Sequence, residues 1–113
     1  MPRNISFSMT TDQVRNQTKD VTRRLGWLNL KEGDFLNACV KCMGLKKGEK
    51  IDVICMIQVI SVRREPVNHI TGSDVLREGF PAMSIAEFID FFCKGHHCKP
   101  ETIVTRIEFK YIF

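Results

Sequence analysis

A chain of 113 residues with 43% apolar side chains fits a single domain, 1–113, able to bury one compact core without metal or disulfide support. Seventeen Lys and Arg against 13 Asp and Glu leave a net charge of +4, which permits an anionic partner but excludes a polybasic tail. The opening MPRNISFSMTT lacks the apolar stretch of a secretory signal. The longest apolar-rich run, VICMIQVISV, is too short to span a bilayer and is broken by Gln58 and Ser61, so the expectation is a cytoplasmic protein whose five cysteines remain thiols.

NISFSM alternates Ile5 and Phe7 with polar neighbours and predicts a short strand. TTDQVRNQ places Gln13 three residues after Thr10, a capping-box pattern that predicts a short helix. QTKDVTRRLGW (17–27) follows, with Lys19, Thr22, Arg23 and Arg24 just ahead of the single tryptophan, Trp27. A turn at Glu32-Gly33-Asp34 leads into DFLNACVKCM, read as a strand of about ten residues. GLKKGEK is a basic loop closed by two glycines.

Residues 51–63 carry the strongest strand pattern. Ile51, Val53, Cys55, Ile57 and Val59 share one face, and Ile54, Met56, Ile60 and Val62 the other, which predicts a strand covered on both sides. REPVNHITGSD breaks the alternation. MSIAEFIDFFCK reads as a helix with Ser84 as N-cap, Glu87 completing a capping box, and a core stripe of Ile85, Phe88, Ile89 and Phe92. KGHHCKP ends it. In TIVTRIEFKYIF, Ile103, Ile107, Phe109 and Tyr111 alternate with Arg106, Glu108 and Lys110, predicting a last strand with one wet face. The order β-α-turn-β-β-α-β implies an α+β fold, an antiparallel sheet curled toward a barrel.

Three constellations bear chemistry. Cys39-x-x-Cys42 with Cys93, His96, His97 and Cys98 offers soft ligands on paper, but residues three apart on a strand point to opposite faces, so free thiols are the reading, with no metal and no cofactor. His96 and His97 read as a polar helix end suited to the dipole. Nothing singles out a nucleophilic cysteine among the five. The third is QTKDVTRRLGW. In extended form it sets Thr22 and Arg24 on one side, with Asp20 beside them and Val21 and Leu25 as anchors on the other. A guanidinium fork binds phosphate or carboxylate, and a lysine beside a threonine binds phosphate or acts as its base. By pattern alone a solvated charged connector fits the stretch equally well.

The stretch resembles the N-terminal signature of ASCH domains, a branch of the PUA-like barrels, of loose form G-x-K-x-x-T-x-R. Here it runs Lys19, Thr22, Arg24, with Gln17 where the family usually has glycine. KEGDFL at 31–36, the EGF of Glu78, Gly79 and Phe80 ahead of the helix, and the closing VTRIEFKYI match further family features in order, spanning nearly the whole chain. The resemblance implies a small β-barrel of about five to six mostly antiparallel strands, flanked by two or three short helices, with the basic signature lining a cleft between barrel and helix. It also implies binding of RNA, a nucleotide or a modified nucleoside. One branch hydrolyses the acetyl amide of N4-acetylcytidine with the signature lysine and threonine and a glutamate. These correspond to Lys19, Thr22 and Glu78 as catalytic candidates. Other members are associated with ribonuclease activity. Asp20 departs from the commoner pattern and would either oppose a phosphate or pair with Arg24.

A binding module would use Lys19, Arg23 and Arg24 on phosphate and Trp27 or Phe80 for stacking. An enzyme would need Lys19 against Thr22, with Glu78 facing the same cavity. A protein-interaction domain without a small ligand is the third expectation.

Overall fold

A computed structural model describes residues 2–42 and 46–112. Five strands make one sheet in the order β1-β3-β4-β5-β2: β1 (Arg3–Ser6), β2 (Val21–Arg24), β3 (Phe35–Cys39), β4 (Val53–Pro66) and β5 (Ile103–Ile112). Only β1 and β3 run parallel; the other ladders are antiparallel. No ladder joins β1 to β2 among the described residues, so the sheet curls into a half-barrel rather than closing. Helices α1 (Thr11–Arg15), α2 (Gly72–Arg77) and α3 (Ile85–His96) flank it, with one 3-10 turn at Val67–His69.

β4 is the spine of the sheet because it pairs along both edges. Ile57 and Val59 are buried as the alternation predicts, but Met56 and Ile60 are exposed, so the expected cover on both faces is only partial. At Ile60 the reason is a bulge. The register runs from Val59↔Phe109 to Ser61↔Glu108 and leaves Ile60 unpaired. One extra residue reverses which side chains face inward. Val62 thereby packs on the inner core, while Glu65 comes to lie beside Val104 on the opposite face.

Two apolar clusters result. Ile5, Phe7, Val14, Leu36, Ile57, Val59, Ile107 and Phe109 fill the half-barrel. Val67, Ile70, Val75, Phe88, Phe92 and Val104 pack under the helices. The face of β5 expected to be wet is covered: α2 lies over it, Arg106 is 5% exposed and Glu108 half-buried, while Lys110 stays in solvent.

α3 starts where the pattern places it. Ser84 Oγ accepts from Glu87 N at 3.1 Å and Glu87 returns the bond to Ser84 N at 2.9 Å. Phe88 and Phe92 are buried, whereas Ile85 is exposed. At α1 the expected box does not form. Thr10 makes no side-chain cap, and Gln13 Nε2 instead donates to Gly79 O at 3.2 Å. β3 is half the expected length; Lys41 and Cys42 follow it as irregular chain, and Met43, Gly44 and Leu45 lie outside the described residues. Val21 is buried as an anchor of the signature, but Leu25 is 42% exposed, because β2 ends at Arg24.

Candidate functional site

The signature is a lead-in turn plus an edge strand. Gln17 takes φ 58°, the left-handed conformation that glycine adopts without cost, which accounts for the glycine of the signature. Asp20 O then accepts from Phe109 N at 3.0 Å and Asp20 N donates to Arg77 O at 3.0 Å, setting the chain on β5. Tyr111 Oη fixes Lys19 O at 2.5 Å. β2 pairs Thr22 with Ile107 and Arg24 with Thr105, turning both toward the hollow of the half-barrel. Val21 and Arg23 take the other face.

Lys19 is 2% exposed. Its Nζ donates to Glu78 O at 2.9 Å and to Glu78 Oε1 at 2.7 Å. Glu78 caps the C-terminus of α2, and Gly79 after it has φ +100°. A Cβ at Gly79 would lie 2.7 Å from Gln13 Cγ, so the glycine of the EGF motif is needed both for its backbone and for close approach. Burial lowers the Lys19 ammonium pKa, outweighing the pull of Glu78 in the other direction.

Arg23, expected on phosphate, is instead enclosed among carboxylates. NH1 bonds Glu78 Oε2 at 3.2 Å; NH2 bonds Glu65 Oε2 at 3.2 Å and Asp74 Oδ2 at 2.6 Å. Its Nε is buried without a hydrogen-bond partner among the described residues. Arg106, directly opposite Arg23 in the β2–β5 register, grips Asp74 with Nε at 2.7 Å and NH2 at 3.0 Å. Lys19, Arg23 and Arg106 thus face Glu65, Asp74 and Glu78, three cations against three carboxylates in one buried layer. Burial pushes the Asp74 carboxyl up, yet the two arginines prevail and hold it well below the ordinary carboxylate range.

Arg24 is different. It is half-buried, its Nε donates to Thr22 Oγ1 at 3.0 Å, and its guanidinium lies 4.8 Å from the centroid of the Phe7 ring. Among the described residues no carboxylate bonds it, and NH1 and NH2 have no protein partner. Burial brings its pKa down to about 10, which leaves it charged at neutral pH.

Lys19, Thr22, Arg24 and Glu78 make one wall of a cleft of about 150 Å³. Phe80, Phe91, Phe88, Phe92 and His96 make the other, and residues 6–10 close one end. Phe80 and Phe91 meet edge to face with centroids 5.2 Å apart. The three catalytic candidates therefore line one cavity. No hydrogen bond joins Lys19 Nζ to Thr22 Oγ1 among the described residues; Lys19 is turned to Glu78 and Thr22 to Arg24.

Trp27 lies elsewhere. It packs half-buried against the inner core, with the Arg3 guanidinium 4.1 Å over its ring, and does not line the cleft. Asp20 pairs with neither a cleft group nor Arg24. Arg77 takes it with both Nε and NH2, at 3.0 and 3.2 Å, and also binds Glu108. The cysteines are thiols, and burial raises Cys39 and Cys93 to about 11. No three His, Cys, Asp or Glu side chains converge for a metal among the described residues. Several cleft residues carry no site signal in the sequence, Phe91 and His96 among them. Phe91 is beside the core stripe of α3, and His96 was read only as a helix end; both become visible once the aromatic content of both sides of α3 is considered.

No family model matches the sequence, and no curated protein matches it. Solved structures do match. Protein EF3133 from Enterococcus faecalis, of the DUF984 family, superposes with a TM-score of 0.69 at 16% identity, over 99% of this chain and 80% of its own. An ASCH domain from Lactobacillus crispatus gives 0.67 at 18% identity, over 96% of this chain and 78% of that one. The fold is ASCH-like. Hypothetical protein PH0355 gives 0.65 at 14% identity, over 98% and 97% of the two chains. In this ASCH-like fold the cleft lies between the half-barrel and α3, and the K-x-x-T-x-R signature forms its polar wall.

Proposed function

We propose that the cleft binds RNA or a nucleotide by taking in one base. The observation that carries this reading is the pairing of an aromatic wall with a cation that no carboxylate hydrogen-bonds among the described residues: Phe80 and Phe91 on one side, Arg24 on the other. A space of about 150 Å³ accommodates a single aromatic ring, which suits one base and not a stack. Stacking on phenylalanine tolerates any base, and a guanidinium fork takes an attached phosphate. Lys19 and Arg23 contribute structure rather than free charge, because Glu78, Asp74 and Glu65 already neutralise them. The ASCH-like fold supports an RNA-binding role in general terms. The test is a titration of labelled mononucleotides and short RNAs against wild type and Arg24→Ala at two salt concentrations. The expected result is weaker binding in the variant and a salt slope smaller by about one. Equal affinity in both proteins refutes the role of Arg24.

A second reading is favoured by one observation. A buried lysine with a lowered pKa shares its cavity with a threonine and a glutamate, the residue types of the N4-acetylcytidine amidohydrolases. Thr22 would attack the acetyl carbonyl as Lys19 accepts its hydroxyl proton and Glu78 orients the lysine; the C–N4 bond would break, cytidine would leave with that proton, and water would then release acetate from Thr22. Acetate release from N4-acetylcytidine, abolished in folded Thr22→Ala, is the expected result; no acetate from wild type ends this reading.

A further inference from the structure

The cleft has one titratable group whose placement the preceding roles do not use. His96, the last residue of α3, is exposed, with its ring centroid 4.2 Å from that of Phe92, and it lines the same cleft as Arg24. We infer that Arg24 and His96 are the two jaws of an anion subsite at the mouth of the cleft, which takes the phosphate of a nucleotide and tightens as pH falls. The inference rests on the nucleotide-binding reading and extends it.

Three observations lead there. First, the other cations of the cleft are occupied. Lys19 is bonded to Glu78, and Arg23 to Glu78, Glu65 and Asp74, so an incoming anion meets an unpaired positive charge only at Arg24 among the described cleft residues. Second, the guanidinium is fixed before any ligand arrives. The Thr22 hydroxyl holds Nε and the Phe7 ring backs it, while NH1 and NH2 have no protein partner among the described residues. A preset fork loses little freedom on binding. Third, the charges around His96 respond to an anion. The charges of Arg24 from β2, Glu78 from the turn after α2 and His97 from its own helix end act on the ring, and Arg24, Glu78 and Lys19 line the same cleft. Desolvation and then Arg24 lower the imidazole pKa, and Glu78 opposes them. An anion between the jaws cancels the repulsion from Arg24. Linkage then requires that the anion favour the protonated ring and the protonated ring favour the anion by the same factor.

The test is an NMR titration of the histidine rings with and without sodium sulfate, an anion whose charge is constant between pH 5 and 8. The expected result is an upward shift of the His96 midpoint of about half a pH unit, equivalent to about threefold tighter sulfate binding by the charged ring. His69, on the 3-10 turn, serves as the internal control and does not move. In Arg24→Ala the sulfate-induced shift disappears. Binding of a nucleoside 5′-monophosphate and of a short single-stranded RNA is then compared at pH 5.5 and 7.5 in wild type and His96→Gln. A pH ratio present in wild type and lost in the variant supports the subsite, and the ligand showing the larger loss identifies free nucleotide or strand as the source of the phosphate. An unmoved His96 midpoint, or the same shift in Arg24→Ala, overturns the subsite; if an uncharged nucleoside still binds, the base-binding reading stands. Failure of nucleoside, nucleotide and sulfate alike overturns both.

Discussion

Removing the Asp74 carboxylate tests whether the charged layer beneath the cleft is a structural unit. Asp74 accepts three hydrogen bonds from two guanidiniums that sit directly opposite each other on β2 and β5. The side chains of Arg23 and Arg106 are 0% and 6% exposed, so neither can turn to water. In Asp74→Ala, Arg23 keeps Glu65 and Glu78, but Arg106 loses both of the bonds that hold its guanidinium. Stranding a buried charge costs about 3–5 kcal/mol, a large share of the roughly 5–15 kcal/mol that stabilises a domain. Urea unfolding followed by circular dichroism at pH 7 reads this loss as a lower midpoint with an unchanged slope. Adding Arg106→Met to the Asp74→Ala background removes the stranded charge and recovers part of the loss. A cost under about 1 kcal/mol with the fold intact refutes the reasoning. The pH dependence gives an independent reading. Burial raises the Asp74 carboxyl but Arg106 and Arg23 hold it well below its ordinary 3.8. A carboxyl depressed in the folded state contributes stability that is present above its unfolded value and lost as pH falls toward the folded one. Wild type therefore loses stability steadily below about pH 4, and Asp74→Asn loses less over the same range.

Three further outcomes follow from single residues. Gly79→Ala places a Cβ against Gln13 at a backbone φ of +100°, so thermal unfolding shows a loss of more than about 1 kcal/mol, with weaker nucleotide binding as Glu78 shifts. Ser84→Ala removes the reciprocal capping box of α3 and costs about 1 kcal/mol in urea unfolding, whereas Thr10→Ala at α1, where no cap forms, costs less. Phe91→Ala leaves the folded state largely intact because Phe91 is only half-buried, but it removes one stacking surface and weakens base binding by about 1–3 kcal/mol in a fluorescence titration.

The parts of this fold legible in the sequence are those governed by local pattern. β4 shows as an apolar alternation and α3 as a capping box followed by Phe88 and Phe92; α3 starts where the pattern puts it, whereas β4 runs Val53–Pro66, beginning two residues later and ending three later than the expected 51–63. The bulge at Ile60 is not legible, because nothing in VISV distinguishes a paired isoleucine from an unpaired one. α2 was missed because GSDVLR is short and polar, and its value lies in delivering Asp74, Arg77 and Glu78 to partners up to 59 residues distant in sequence. The same long-range contact explains Arg23. A strand arginine ordinarily reads as a surface cation, and only the arrival of Glu65, Asp74 and Glu78 makes it a buried one. Within the signature, Lys19, Thr22 and Arg24 reach the cleft together with Glu78, while Trp27, a neighbour in sequence, is turned away once the chain leaves β2.

The central claim is that the space between Arg24 and the Phe80–Phe91 wall receives a base. Amide chemical-shift mapping with a nucleoside 5′-monophosphate tests it most directly. The account predicts changes concentrated at Thr22, Arg24, Phe80, Phe91 and His96. Changes centred on the exposed side of β4 around Met56 and Ile60, or no changes at saturating nucleotide, contradict it.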